Sequence, residues 1–257
     1  MTAAPQRGLP GTRPDGVLDE TEAAARVREM FGRIAPRYDL LNHLLSLDID
    51  KLWRQRVARK FTAILHDPNA RVLDLCCGTG DLAFAFRKEA PRGAEIIGSD
   101  FVPEMLVRAR AKAAAARATV EFIEADALHL SFTDAGFDLV SCAFGFRNLA
   151  NYERGMREIL RVLKPGGSAG ILEFAEPPGK AFGAMYRFYF RRILPLLGGM
   201  ISGNASAYTY LPMSVSRFPS PEELKLQFDR AGFVDVQFER WTGGIVTLHM
   251  GTKAQSR

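Results

Sequence analysis

The stretch RVLDLCCGTGDLAFAF, Arg71 to Phe86, decides the fold. An apolar run ends in a glycine turn, and a second apolar run with helical spacing follows it. Arg71 to Cys77 reads as a buried strand, Gly78-Thr79-Gly80 as the turn, and residues 81–90 as a helix. Towards the C-terminus the unit recurs. AEIIGSD (94–100) is a second strand, and Pro103 opens the helix PEMLVRARAKAAAA. VEFIEAD (120–126) and FDLVSCAF (137–144) are strands three and four. The helix NYERGMREILRVL (151–163) stops at KPGG, where Pro165 cannot continue it and the glycines permit a reversal. SAGILEF (168–174) is strand five.

Strands that alternate with helices predict a parallel sheet covered on both faces. After a break in rhythm at about 180–215 comes the helix PSPEELKLQFDRAGF, entered through proline and acidic residues. Two late strands, VDVQFERW and GGIVTLHMGTK, with Gly243 and Gly244 fitting a tight hairpin between them, read as an antiparallel addition. The expected fold is α/β: a doubly wound, Rossmann-like sheet of seven mostly parallel strands, with an antiparallel C-terminal edge strand. Residues 1–20 read as a flexible leader, 21–66 as a helical cap interrupted near Pro36 and Asp48 to Asp50, and 70–254 as the α/β domain.

Composition bounds the function loosely. The chain has 257 residues, 47% of them hydrophobic, which suits one domain with additions. The longest apolar run, ILPLLGGMI at 193–201, is too short to span a bilayer. Cys76, Cys77 and Cys142 cannot all pair, a pattern that fits a reducing cytoplasm and core-filling thiols. A net charge of +5 permits anionic partners without identifying one. His66 and His129 have no partners at metal-ligand spacing, so no metal is indicated.

Gly78, Gly80 and Ala83 satisfy the permissive dinucleotide fingerprint, and Asp100 sits where a ribose-binding acid belongs. A nicotinamide-dependent oxidoreductase is therefore one reading. Asp74 opposes it, because a carboxylate just before the turn repels a pyrophosphate. S-adenosyl-L-methionine carries an ammonium, a sulfonium, a ribose and an adenine, but no phosphate. In that reading Asp74 lies near the ammonium, Asp100 holds the ribose hydroxyls and Asp126 meets the adenine edge. Phe101 and Ala127 flank the ring.

The segments VLDLCCGTGDLA, SDFVPEML, EADAL, FGFRNL and RVLKPGG…LEF resemble the class I methyltransferases. With YDLLNHLLS and GGIVTLH they resemble more narrowly the family that C-methylates demethylmenaquinol and the related ubiquinone precursor. The resemblance runs over nearly the whole chain after about residue 20. It implies donor contacts at Thr79, Asp100, Asp126 and Ala127. Where some relatives have a serine this chain has Ala143, and Asp50 and Ala175 stand where many have histidine and serine.

On the acceptor side, ring methylation calls for a base or a cation beside a quinol oxygen. Arg147 and Asn148, directly after the fourth strand, are placed to polarise and to hydrogen-bond it. The alternative is that Arg147 pairs with a core acid such as Glu173 and Asn148 caps a helix. Tyr38, Asp39 and His43 belong to the cap over the pocket, and Tyr38 is placed to orient the quinol. His249 reads as a structural histidine. Phe182, Tyr186, Phe188, Tyr189 and Phe190 interleave with Lys180, Arg187, Arg191 and Arg192, a mixture suited to transient contact with a membrane surface or to a homodimer. Arg54, Arg56, Arg59 and Lys60 read as a solvated helix face. No nucleic acid partner is expected, since FGFRN replaces the Asn/Asp-Pro-Pro-aromatic element common in base-amino methyltransferases. The expected location is the cytoplasm, peripheral to the inner face of the membrane.

Overall fold

Asp19 starts the first helix: its Oδ1 accepts from the amides of Thr21 (2.8 Å) and Glu22 (3.1 Å). These are two of the N–H groups that a helix start leaves without partners. The computed structural model describes residues 11–14, 17, 19–39, 46, 48–91, 93–179, 183–184 and 205–255. Helix α1 spans Glu20–Ile34 and ends in a 3-10 turn at Ala35–Arg37, where Pro36 interrupts the helix. Helices α2 (Ile49–Lys60) and α3 (Thr62–Leu65) complete the N-terminal layer.

The alternating units follow in chain order as β1 (Arg71–Leu75), α4 (Asp81–Glu89), β2 (Glu95–Asp100), α5 (Pro103–Ala116), β3 (Glu121–Glu124) and β4 (Phe137–Ala143). After them come α6 (Tyr152–Val162), β5 (Leu163–Phe174), α7 (Ala205–Arg217), α8 (Pro221–Ala231), β6 (Phe233–Trp241) and β7 (Val246–Lys253). Ser220 and Glu223 form a reciprocal capping box at the start of α8, and Gly232 ends it at φ 102°.

The seven strands form one sheet in the order β3-β2-β1-β4-β5-β7-β6. The first five are mutually parallel, and β7 runs antiparallel to both of its neighbours. The C-terminal strand thus lies one place inside the edge, and β6 takes the edge. Burial explains the order: Val246 to His249 are all buried, whereas most of β6 is exposed or half-buried. KPGG, expected as a turn, falls within β5. Leu163 pairs with Phe137 before a register shift brings Ser168 opposite Leu139.

Strand alternation sends side chains to opposite faces. Leu73 and Leu75 join one core with Ile97, Val140, Met156 and Phe228. Val72 joins the other, with Trp53, Val57, Phe86, Leu106, Leu139 and Leu248. Asp74 shares the face of Val72, which aims its carboxylate at α4.

Packing begins earlier than the expected leader boundary. The Thr12 amide donates to the Leu149 carbonyl at 2.7 Å, and the Thr12 hydroxyl lies 3.0 Å from that of Tyr210. Thr12 and Val17 are buried. A side chain at residue 11 would meet the Ala150 carbonyl carbon at 2.1 Å, so glycine is required for that approach. The order comes from contacts with residues far along the chain, which local composition does not reveal. His43 and the aromatic–basic stretch from Lys180 to Arg192 lie outside the described residues, apart from Gly183 and Ala184.

Candidate functional site

The strand order reverses between β1 and β4, and the two chains leaving those strands part there. In such sheets this is where a crevice opens for ligands. Cys76 (φ 53°) and Phe144 (φ 61°) both follow these strand ends in the left-handed region, which is uncommon for side-chain-bearing residues and concentrates at functional sites. The two turns approach so closely that a Cβ on Gly145 would stand 2.4 Å from Cys76 Cβ. A cleft opens here, lined by Gly78, Asp100, Phe101, Asp126 and Ala127 together with Tyr38, Phe144 and Asn148. It holds about 690 Å³ of empty space, part of it open to solvent, which suits a nucleoside-sized ligand.

Asp100 ends β2 with its carboxylate already oriented. Oδ2 accepts from Gly78 N at 2.8 Å and Oδ1 from Val102 N at 2.9 Å. Burial pushes its pKa up to about 6, against the pull of those amides. Asp126 is exposed on the cleft rim, where its Oδ1 takes the Leu128 amide at 2.9 Å in a local turn. Phe101 and Ala127 supply apolar wall between the two acids.

Asp74 is 1% exposed, and its Oδ2 accepts from Ala83 N at 2.9 Å. Ala83 lies in the first turn of α4, so this carboxylate occupies the helix terminus where a pyrophosphate would bind. Burial raises its pKa well above the usual carboxylate range. Asp74 also lines a smaller recess with Arg54, Gly78, Thr79, Asp81 and Ala143. Tyr38, Cys76 and Gly78 border both cavities, so the recess adjoins the cleft. Gly80 is held to glycine by φ 89° and by Phe122, whose ring would lie 2.7 Å from a Cβ.

The N-terminal layer is tied onto this turn. The Thr79 hydroxyl donates to Asp39, and Lys112 Nζ reaches Thr79 Oγ1 (3.1 Å), Asp39 (3.0 Å) and Asp81 (2.5 Å). Lys112 on α5 thereby joins three elements.

After β4, Arg147 is turned inward. Its Nη1 lies 3.0 Å from Glu173 Oε2 and also donates to the Phe144 carbonyl, while its amide donates to Glu173 Oε1 at 3.0 Å. Arg147 does not line the cleft, and its buried Nε has no partner among the described residues. Asn148 does line it, and its Oδ1 accepts from Tyr210 at 3.1 Å. The cap of α6 is Asn151, not Asn148. Of the acceptor-side residues expected, Tyr38 and Asn148 meet at the cleft and Arg147 stands behind it.

Residues 19–253 match the ubiE/COQ5 methyltransferase family. The chain belongs to that family. It is 53% identical over 224 residues to the demethylmenaquinone methyltransferase of Thermus thermophilus, covering 87% of this chain and 100% of that protein. It is 44% identical over 237 residues to the ubiquinone/menaquinone biosynthesis C-methyltransferase UbiE of Geobacter sulfurreducens, covering 91% and 90%. Among solved structures, the [4+2]-cyclase SpnF superposes with a TM-score of 0.66 at 17% identity, covering 91% of this chain and 97% of that one. A SAM-dependent methyltransferase of Thermotoga maritima gives 0.62 at 18%, covering 88% and 99%. A cyclase and a methyltransferase on one fold show that the fold alone does not fix the reaction.

Within this family member, one basic residue departs from its sequence reading. Arg54 is buried instead of solvated: it sits on the α2 face that carries Asp50, Trp53, Val57 and Ala58. The i,i+4 spacing of Asp50 and Arg54 on an apolar face was the available clue. Lys112, Phe144, Tyr210 and Thr12 also escaped sequence reasoning, since only distant contacts assemble them. His249 is structural, with Nε2 2.8 Å from the Pro221 carbonyl and its ring stacked on Phe238. Hydrogen bonding with Cys142 and burial hold the Cys76 thiol well above its usual pKa, and burial does the same for Cys77, which disfavours a thiolate nucleophile.

Proposed function

We propose that this chain transfers a methyl group from S-adenosylmethionine to a ring carbon of a polyprenyl quinol. Demethylmenaquinol is the favoured acceptor, and the benzoquinol precursor of ubiquinone is the second. The observation that carries the reading is the 53% identity to a protein named demethylmenaquinone methyltransferase, over that protein's whole length. The donor set supports it: acids at the ends of β2 and β3 with apolar wall between them, and a helix terminus already occupied by Asp74.

When bound, the donor supplies an electrophilic methyl on sulfur. In this reading Asp100 receives the ribose hydroxyls, Asp126 meets the adenine edge, and Phe101 and Ala127 flank the ring. Gly78 and Gly80 let the turn approach closely, Thr79 and Ala143 border the amino-acid end, and Asp74 attracts its ammonium. Tyr38 stands where cleft and recess meet, and orients the quinol hydroxyl. Asn148 hydrogen-bonds a quinol oxygen. Arg147, held by Glu173, keeps positive potential behind that oxygen and favours its ionised form. The ring carbon then gains the methyl and loses its hydrogen as a proton.

The aromatic and basic residues between 180 and 192 meet the bilayer in which such a quinol dissolves. No helix among the described residues is long and apolar enough to cross a membrane, so contact is peripheral in this reading, at the cytoplasmic face. Self-association through the same stretch is a second reading, distinguished by the mass of the particle in solution. No nucleic acid enters the scheme.

The function is tested by methyl transfer from labelled donor to short-chain demethylmenaquinol, beside the benzoquinol analogue. Label on a ring carbon is expected. Donor binding without label on either acceptor overturns the quinol reading.

A further inference from the structure

Arg54 poses a physical problem. A helix as short as α2 has exposed positions for a cation, yet Arg54 is 8% exposed, among Trp53, Val57 and Ala58. Removing a guanidinium from water is costly unless charge and hydrogen bonds compensate. Asp50, itself 4% exposed, takes Nη1, and the Ser46 hydroxyl donates to the other Asp50 oxygen at 2.6 Å. The guanidinium carbon lies 5.4 Å from the centre of the Phe144 ring. These contacts fix the orientation of the group, which has five N–H donors in a planar fork.

The fork borders the recess beside the cleft, whose remaining wall includes Asp74, Asp81, Thr79, Gly78 and Tyr38. The recess therefore carries a guanidinium and two carboxylates around about 300 Å³ of empty space. An α-amino acid presents the complementary pair, a carboxylate and an ammonium on one carbon. Lys112 does not line the recess, so among the described residues Arg54 is the lining cation placed for a carboxylate. We propose that Arg54 binds the carboxylate of the donor's amino-acid end, opposite Asp74, and so selects a donor bearing an intact zwitterion. The assignment rests on the donor reading above and adds the group that recognises its anionic end.

Arg54 then acts through a charge-assisted, fork-to-carboxylate contact. Asp50 is a positioning residue, since it acts only through Arg54. The competing role is purely structural, in which Arg54 neutralises Asp50 and Asp74 and touches no ligand. Ligand chemistry separates the two roles without relying on turnover.

Calorimetric binding of S-adenosylhomocysteine, its carboxamide and 5′-deoxy-5′-methylthioadenosine is compared for the full chain, Arg54→Met and Arg54→Lys. The last ligand keeps the nucleoside but lacks the amino-acid end. Arg54→Met is expected to weaken S-adenosylhomocysteine roughly 10- to 100-fold, the loss typical of a hydrogen bond to a charged group. It is expected to leave the thioadenosine unchanged. The unaltered chain should discriminate against the carboxamide, and Arg54→Met should lose that discrimination. Arg54→Lys, retaining charge without the fork, should fall between them and carries the comparison if Arg54→Met does not fold. Equal weakening of all three ligands, or discrimination against the carboxamide that survives substitution, overturns the assignment while leaving the donor reading intact. Failure of the unaltered chain to bind S-adenosylhomocysteine overturns both.

Discussion

Arg147 and Glu173 form an ion pair at 3.0 Å in which the side chains are 6% and 0% exposed. Glu173 also takes the Arg147 amide, so one carboxylate anchors both ends of the residue preceding Asn148. The pair converts the last residues of β5 into a support for the turn after β4. Removing one partner leaves a buried, uncompensated charge, which costs about 3–5 kcal/mol. Glu173→Gln is therefore expected to lower unfolding stability by about that amount in urea titration. Turnover should fall while thioadenosine affinity is retained. Unchanged stability would show that the pair is not buried as described.

Asp100 makes donor binding pH-dependent. Its pKa in the folded protein, about 6, lies above the ordinary 3.8. Between those values the folded chain holds a proton that the unfolded chain has released, so this group's contribution to stability falls as pH rises through the window. Ribose hydroxyls require the ionised form as acceptor. S-adenosylhomocysteine affinity should thus drop about tenfold from about pH 7.5 to about pH 5. Asp74, also raised by burial, adds a step of the same sign. The decisive quantity is the difference between the unaltered chain and Asp100→Asn, whose binding should be weaker and flatter with pH. Identical pH slopes would remove Asp100 from the binding step.

His249 works in the opposite direction. Burial lowers its pKa from 6.5 to about 4. The unfolded chain takes up a proton in that window that the folded chain refuses, so stability is lost as pH falls through it. The shift corresponds to about 3 kcal/mol. Because Asp100 opposes this trend over part of the same range, the test compares the unaltered chain with His249→Phe. The variant, stacked between Phe228 and Phe238, should lose less stability between about pH 6.5 and about pH 4, by denaturant titration at each pH. Parallel curves would contradict a buried neutral imidazole.

Gly145 holds the two crossing turns together. A methyl group there would meet Cys76 Cβ at 2.4 Å and Cys142 Sγ at 3.1 Å. Cys76 Cβ is fixed to the backbone just after β1 and the Cys142 side chain is buried within β4, so relief requires β1 and β4 to part. Gly145→Ala should therefore destabilise by about 2 kcal/mol and weaken thioadenosine binding together. Thermal unfolding and calorimetry check it, and a wild-type melting temperature would show that the turns move apart freely.

The parallel α/β core was legible because it depends on local period and punctuation. Five strands, the helices after the first, second and fourth of them, and Pro103 at a helix start can each be read within a few residues. The acids at the ends of β1, β2 and β3 were legible too, since the end of a strand is a position in the chain as well as in space. The inward turn of Arg54 and the order of the last two strands were only weakly marked. Each is chosen by competition for burial among segments far apart in sequence.

The sequence by itself determined the family, the sheet and the row of acids above it. Tertiary structure alone decided that Arg147 backs the cleft instead of lining it, and that Thr12 docks onto Tyr210. It also decided that Asp39, Thr79, Lys112 and Asp81 join three elements over the glycine turn. The physical reason is range. Strand alternation and helix caps act over a few residues, whereas a buried charge takes its position from whatever opposite charge folding brings beside it.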